Sequence, residues 1–356
     1  MLYSILAFIL SLLLSFATYK LAVKKKWLDY ADRRRKLHAK PTPNLGGMAM
    51  FFSFLIVTIL FLCFNHVTGS YLKYIVGLIF GAFVMFVVGV IDDRKKIGPA
   101  VKFSAQIISA LIIIASGVGI TYINNPLGGF IFLDQIKIPV LNIAGTIYQI
   151  TLFADLFALL WIVGMINVVN FLDGLDGLAS GVAVISFFVV YLLSISPAVN
   201  QPLSAIVALI LLGAVLGFIP FNLNPAKMFM GDSGSMFLGF TLATVAIVSG
   251  GKVATALLVL GLPIFDGLWV ATSRLIHKRK PWEAGRDHLH HKLVDLGLSK
   301  RGVVLVFWVI TALFGIIALM AGARGKFVAL IVLVLILIVG TSVVNILNKK
   351  SVGATR

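Results

Sequence analysis

The sequence has almost no cysteine, few acids and no polar stretch long enough to fold as a soluble domain. The single cysteine, Cys63, sits inside the apolar run MFFSFLIVTILFLCF, which excludes an intrachain disulfide framework. Only 12% of the 356 residues are charged while 60% are hydrophobic. A mean hydropathy of +1.05 places the chain outside the soluble globular class. The apolar runs lack strict alternation, so a closed β-barrel is excluded. Acids number 13 against 30 lysines and arginines, a net charge of +17. These cations are split among short segments without a recognisable binding module, which argues against nucleic acid as a partner. Their surplus fits membrane topology and attraction to anionic lipid.

What the chain has in abundance is apolar runs long enough to cross about 30 Å of hydrocarbon as helix. Eleven are read, at 2–23, 48–66, 72–91, 101–118, 152–169, 178–196, 203–220, 235–249, 253–273, 302–321 and 326–347. The first lacks the basic start and small-residue cleavage site of a signal peptide and reads as a retained span. The expected fold is therefore an all-α polytopic integral membrane protein, a single domain over 1–356. The segment 119–151 holds NNPLGGFIFLDQIKIPV, where Asn, Pro and Gly separate two short strand-like runs, and a small outer β-hairpin is expected there.

With the N-terminus outside and the C-terminus cytoplasmic, 25 of the 30 lysines and arginines fall on the inner side, as the positive-inside rule requires. The aspartates supply an independent test. Ten of them lie in or near inner connections; Asp134 and Asp155 do not. The polar chemistry is thus expected on the cytoplasmic face, in the connections 24–47, 92–100, 170–177, 221–234 and 274–301.

Four connections carry chemistry-bearing residues. VGVIDDRKKIGP sets Asp92 beside Asp93 at a membrane surface. Adjacent carboxylates repel, so the pair suits a hard cation or a shared proton, although a solvated helix end would look the same. In NVVNFLDGLDGLASG, Asn167, Asn170 and Asp173 are spaced by three and share one helix face. Gly174 and Gly177 then mark a turn, where Asp176 could equally serve as a helix N-cap. In FNLNPAKMFMGDSGSMFLGF, Asn222, Asn224, Lys227 and Asp232 share one loop, and GDSGS reads as a tight turn before the eighth span. Phe229 offers a stacking surface for a base, though interfacial aromatics are ordinarily anchors. Finally, RLIHKRKPWEAGRDHLHHKLVDLGLSKR gathers His288, His290 and His291 behind five cations. Without cysteine, and with only Asp287 adjacent, imidazole and guanidinium donors to phosphate fit this cluster better than zinc.

The order KPTPNLGG, IDDRKKIGP, NVVNFLDGLDGLASG, NPAKMFMGDSGS, PIFDGLWV and RDHLHH closely resembles the polyprenyl-phosphate N-acetylhexosamine-1-phosphate transferase family. The tail DHLHHKLVDLGLS is similar to its bacterial undecaprenyl-phosphate GlcNAc-1-phosphate branch rather than the phospho-N-acetylmuramoyl-pentapeptide branch. The resemblance implies a bacterial cytoplasmic (inner) membrane enzyme that joins UDP-GlcNAc to undecaprenyl phosphate with release of UMP, using Mg²⁺ with Mn²⁺ as a substitute. It implies Asp232 as the principal metal ligand, with Asp93 as a second, and Asp92 and Asp93 beside the lipid phosphate and metal. Asn170 and Asp173 complete the polar site, Asp176 hydrogen-bonds uracil and Phe229 stacks on it. Lys40, Asn222, Arg286, His288 and His290 face the pyrophosphate or sugar, with His291 beside them; Asp266 receives no role. A homodimer is compatible with the sequence, which does not fix oligomeric state.

These residues suit phosphoryl transfer between two anions, which needs charge neutralisation and alignment more than covalent help. Direct attack by the lipid phosphate and passage through an aspartyl intermediate are both compatible with them. A transporter of lipid-linked sugars is the rival from another class, but such proteins place charge near the bilayer midplane on broken helices. The CDP-alcohol phosphatidyltransferases also use paired Asp-Gly motifs, yet GLASGVAVISF after Asp176 lacks their further arginine and aspartates.

Overall fold

The computed structural model describes residues 1–29, 41–125, 128–143, 146–249, 253–280 and 285–354. Long helices form where the apolar runs predict them: α1 (Leu2–Lys24), α2 (Gly46–Phe64), α3 (Gly69–Lys95), α4 (Pro99–Ala115), α5 (Leu152–Leu172), α6 (Leu178–Ile195), α7 (Pro202–Asn222) and α8 (Gly231–Val248). They are followed by α9 (Val253–Val259), α10 (Gly261–Ile276), the short α11 (Leu289–Asp295), α12 (Lys300–Met320) and α13 (Ala323–Ala354). Among the described residues nine of these helices are long and apolar enough to cross a membrane singly. The chain is an all-α polytopic membrane protein.

The other two expected spans depart from straight, full-length helices. Helix α4 has 17 residues, about 26 Å at 1.5 Å per residue. The span expected at 253–273 is broken: α9 and α10 meet at 79°. Pro263 cannot donate to the Val259 carbonyl and its ring crowds that oxygen, so the helix stops and restarts at Leu260.

Between α4 and α5 lie two antiparallel hairpins rather than the single one expected. Strands β3 (Tyr122–Asn124) and β4 (Phe130–Phe132) pair Ile123 with Ile131. Strands β5 (Lys137–Ile143) and β6 (Thr146–Thr151) pair Ile138 with Ile150 and shift register between Pro139 and Leu141, where proline removes a ladder donor. A further short pair joins β1 (Leu28–Asp29) to β2 (Thr42–Pro43).

Helix α8 is the axis of the bundle. Nearly every residue from Gly231 to Ile247 is buried, and α2, α3 and α5 pack around it. Its glycine, serine and threonine content follows from that position, because small residues let neighbouring backbones approach in a membrane bundle. A Cβ on Gly239 would sit 2.6 Å from the Ile166 Cα of α5. Gly89 of α3 meets the backbone of Ser233 just as closely. On the opposite flank α7 receives α1: a Cβ on Gly217 would lie 2.7 Å from Ser11 Cβ, and Ser11 Oγ donates to the Ala214 carbonyl at 2.5 Å. Gly217→Val should therefore force α1 away and destabilise the bundle by roughly 1–3 kcal/mol. A lowered thermal midpoint in detergent is the expected result; an unchanged one would show that α1 does not pack there.

Candidate functional site

All four chemistry-bearing connections meet at one end of the bundle, opposite the β3–β6 hairpins. Asp92 and Asp93 are not in a loop but in the last turn of α3, and GDSGS is the first turn of α8 rather than a turn before it. Gly231, at φ +69°, makes the entry into that helix; the left-handed backbone there explains the glycine.

The two adjacent aspartates do different work. Asp93 accepts four hydrogen bonds: from Asn44 Nδ2 at 3.0 Å and the Asp232 amide at 2.8 Å on Oδ1, and from the Ser233 amide at 3.1 Å and Ser233 Oγ at 2.8 Å on Oδ2. A carboxylate has about four acceptor positions, so the side chain expected to bind metal is instead occupied as the anchor of the α8 N-terminus. Asp92, 1% exposed, accepts from the Ile97 amide at 2.8 Å and pairs with Lys102 Nζ at 2.8 Å. Lys102 also pairs closely with Asp232 Oδ2, while Asn170 Nδ2 donates to Asp232 Oδ1 at 3.2 Å and to Ser235 Oγ at 2.8 Å. Asp92, Lys102, Asn170 and Asp232 thus form one charged cluster. Lys102 was legible only as topology charge. A cation in the first turn of α4 opposes that helix's dipole, and this mismatch is the local sign that it has an acidic partner.

The turn after α5 rests on the loop before α8. Asn222, expected to face the pyrophosphate, is 1% exposed, and its amide is taken up by protein partners. Its Oδ1 accepts from the Gly177 amide at 3.2 Å and Ser180 Oγ at 2.7 Å, and its Nδ2 donates to the Met228 carbonyl at 3.2 Å. Gly177, at φ +82°, rather than Asp176, is the N-cap of α6. Asp176 Oδ2 accepts from Asn224 Nδ2 at 2.8 Å and the Ala226 amide at 3.1 Å, leaving Oδ1 for another donor. Phe229 is half-buried, its backbone bonded to Pro43 and Gly46. Half-buried Asp173 caps α5. Burial, reinforced by the carboxylates of Asp232, Asp93 and Asp176, holds its carboxyl well above the usual range. Lys40 lies outside the described residues.

The histidines separate into distinct roles. His288 Nδ1 contacts Asp266 Oδ2 at 2.9 Å, and the Leu289 amide donates to Asp266 Oδ1 at 2.8 Å. Asp266, without a role from sequence, therefore orients His288 and starts α11. His290 is fully buried, packed against His291 and Phe307. Burial and the neighbouring histidines push its pKa well below normal. His291 is held down to about 4 by burial, then by Arg286 and His288. Both are neutral imidazoles at neutral pH, not the cations a phosphate site first suggests. Arg286 is also displaced from its expected place: exposed, it pairs with Asp295 at 2.6 Å. Arg274, 6% exposed and bonded to Asp287 at 3.0 Å, faces the cavity instead.

That cavity measures about 820 Å³. It is lined by the polar Asp92, Lys102, Asn170, Asp232, Arg274, His288 and His291 and by the apolar Ile97, Pro99, Ala100, Phe103 and Met236. Gln106 and Asn167 also line it and form a reciprocal amide pair, with Asn167 Nδ2 donating to Gln106 Oε1 at 2.7 Å. A cavity that combines an ionic cluster with apolar lining at a helix-bundle end suits a substrate with an anionic head and a hydrocarbon tail.

Residues 75–250 match glycosyl transferase family 4, a segment that contains both aspartate pairs and Asp232. Over 315 residues the chain is 31% identical to the decaprenyl-phosphate N-acetylglucosaminephosphotransferase of Mycobacterium tuberculosis, covering 80% of this chain and 73% of that protein. This chain belongs to glycosyl transferase family 4. It is also 29% identical over 360 residues to the probable undecaprenyl-phosphate N-acetylglucosaminyl 1-phosphate transferase of Bacillus subtilis, across 97% of this chain and 93% of the relative. The phospho-N-acetylmuramoyl-pentapeptide-transferase of Staphylococcus epidermidis is 29% identical over 80% of this chain and 86% of its own length. In this member of the family, Asp266, Arg274 and the histidines lie beyond the matched segment, yet α10 and α11 bring Asp266, Arg274, His288 and His291 to the same end.

The division between Asp93 and Asp232 is directly testable. Asp93→Ala strands two α8 amides and a hydroxyl, and at about 1–3 kcal/mol for an unsatisfied buried group it should lower the thermal midpoint clearly. Asp232→Ala should leave the midpoint near wild type. Equal midpoints for the two variants would show that Asp93 does not anchor α8.

Proposed function

We propose that the protein transfers N-acetylglucosamine 1-phosphate from UDP-GlcNAc to undecaprenyl phosphate, releasing UMP. The observation that carries this reading is the Asp92–Lys102–Asp232 cluster in one cavity with apolar lining residues such as Ile97, Phe103 and Met236. The family and its relatives place the chain among polyprenyl-phosphate hexosamine-1-phosphate transferases. GlcNAc and the undecaprenyl chain are favoured by the Bacillus subtilis relative and by the DHLHHKLVDLGLS tail. The product would prime a cell-envelope polysaccharide or teichoic acid. Because the topology that places 25 of the 30 lysines and arginines inside also puts the connections carrying Asp92, Asp173, Asp232 and His288 on that side, the reaction is assigned to the cytoplasmic face of the bacterial inner membrane.

The donor set fits a hard divalent cation. Asp92 and Asp232 already aim carboxylate oxygens at one positive group, the Lys102 ammonium. Among the described residues no three His, Cys, Asp or Glu form a closed metal cage, and Mg²⁺ held by one or two carboxylates plus substrate phosphate needs none. Asp232 and Asp92 would hold Mg²⁺, which when bound supplies charge neutralisation for the diphosphate. Lys102 neutralises the incoming lipid phosphate and fixes its distance from the donor. An oxygen of that phosphate attacks the sugar-bearing phosphorus, the bond to the bridging oxygen breaks, and UMP leaves with the electron pair. The lipid phosphate is already ionised at neutral pH, so no side chain has to remove a proton first. Asn170 holds Asp232 in orientation, and Arg274 and His288 supply donors to phosphate or sugar oxygens. Asp176 Oδ1 and the Phe229 ring are assigned to uracil.

The charged groups gather at one end of the bundle rather than at its middle, which disfavours the transporter reading. Purified protein given UDP-GlcNAc, Mg²⁺ and undecaprenyl phosphate should release UMP and form a lipid-linked sugar. UMP release only with UDP-MurNAc-pentapeptide would move the chain to the muramoyl branch, and no UMP with either donor would sink the transferase reading. Lys102→Gln and Asp232→Ala should each reduce turnover by at least about a hundredfold, the scale of one electrostatic group. Phe229→Ala should mainly raise KM for UDP-GlcNAc, since uracil is remote from the reacting phosphorus; an unchanged KM would remove Phe229 from the base pocket.

A further inference from the structure

Behind Arg274 lies a second, smaller cavity of about 230 Å³, below the roughly 300–1,000 Å³ typical of a drug-sized ligand. Arg274, Arg279 and Lys292 bring three cations to it, against one carboxylate, Asp287. Arg274 already binds Asp287. Among the described residues no ion pair holds Arg279 or Lys292. Burial pushes the half-buried Lys292 ammonium down from its ordinary pKa, so an anion beside it would restore the charged form.

The surroundings identify the anion's source. Trp269 and Ser273 of α10, and His277 at its C-cap, line the cavity at intervals of four, so they form one stripe. The adjoining face of the same helix exposes Leu268 at 62%, Leu275 at 61% and Ile276 at 73%. In a membrane bundle those side chains meet acyl chains, and the stripe ends at the basic run His277 to Lys280, the depth at which headgroups sit. Trp269, stacked on Phe265, is an aromatic of the kind that marks that interface. A polar, cationic cavity thus opens beside lipid-facing helix surface, at the same bundle end as the reaction cavity but distinct from it.

We propose that this second cavity binds the phosphate of an anionic phospholipid headgroup. Arg279 and Lys292 supply two cations, Ser273 and Trp269 add an O–H and an N–H donor, and the acyl chains lie along Leu268, Leu275 and Ile276. Arg274 lines both cavities, so a bound headgroup would lie against the same guanidinium that borders the reaction cavity.

The test is lipid retention by the purified full chain, wild type against Arg279→Gln/Lys292→Gln, measured by native mass spectrometry after titration with phosphatidylglycerol or phosphatidylcholine. The double variant should bind phosphatidylglycerol about thirtyfold more weakly, from roughly fivefold per cation at a membrane surface, with phosphatidylcholine unchanged. Lipid-free thermal midpoints should agree between the two proteins, showing that the loss is not misfolding. As a backup should that variant unfold, Ser273→Ala should also weaken phosphatidylglycerol alone. Equal phosphatidylglycerol retention by wild type and folded variants overturns the proposal. So does a free-phosphate site, recognised if millimolar inorganic phosphate raises the midpoint of wild type but not of the double variant while lipid retention is the same.

Discussion

The site depends on the Asp93 carboxylate seated on the first turn of α8. Its four hydrogen bonds tie the end of α3 to the start of the central helix and to Asn44. A carboxylate at a helix N-terminus satisfies amides that would otherwise have no partner and interacts favourably with the helix dipole. The contact fixes where Asp232 sits, one residue inside that turn. It is only possible because Gly89 and Gly47 bring α3 and α2 against the Ser233 backbone, where a Cβ would collide. The absence of side chains at two glycines and the presence of one carboxylate are parts of the same arrangement.

From that anchor the remaining polar groups fall into two sets. One set lines the cavity: Lys102 pairs with both Asp92 and Asp232, and Asn170 donates to Asp232. The other is bonded to the protein itself. Asn222 fastens the Gly177 turn to the Met228 loop, and Asp266 holds His288 while starting α11. Near hydrocarbon, unsatisfied polar atoms are costly, so a site at a bundle end needs many such positioning residues for each one that touches substrate. The bent α9–α10 pair extends the arrangement by carrying Arg274 and Asp266 to the same end as α3, α5 and α8.

Much of the fold was legible in the sequence because hydrocarbon thickness imposes a length on every span. The runs at 2–23, 48–66 and 302–321 became helices with nearly those bounds. The break at Leu260 was not expected, since an apolar run through GLPIF looks continuous to hydropathy although Pro263 interrupts it. GDSGS was read as a turn because glycine and serine are poor helix formers, yet Asp93 and the packing of α2 and α3 make it the first turn of α8. The site was legible as to which connections carry it, less so as to which side chains face inward. Asp92 and Asp93 are indistinguishable by composition, and a helix places neighbours about 100° apart; one therefore meets Lys102 and the other meets α8. Arg286 and Arg274 were exchanged for a similar reason: Asp295, one helix of chain away, captures the first.

By itself the sequence determined the class of protein, most of its spans, the connections in which acids and cations collect, and a motif order specific to one transferase family. Those follow from local quantities: hydropathy summed over a span, charge per connection, and residue type at fixed spacing. Only the tertiary structure decided which carboxylate anchors and which faces the cavity, that Lys102 joins Asp92 to Asp232, and that His290 is buried rather than presented. Those choices depend on contacts between residues far apart in the chain, such as Asp93 with Ser233 and His288 with Asp266. A donor's partner and its exposure are set by how helices pack around α8, and no local pattern encodes them.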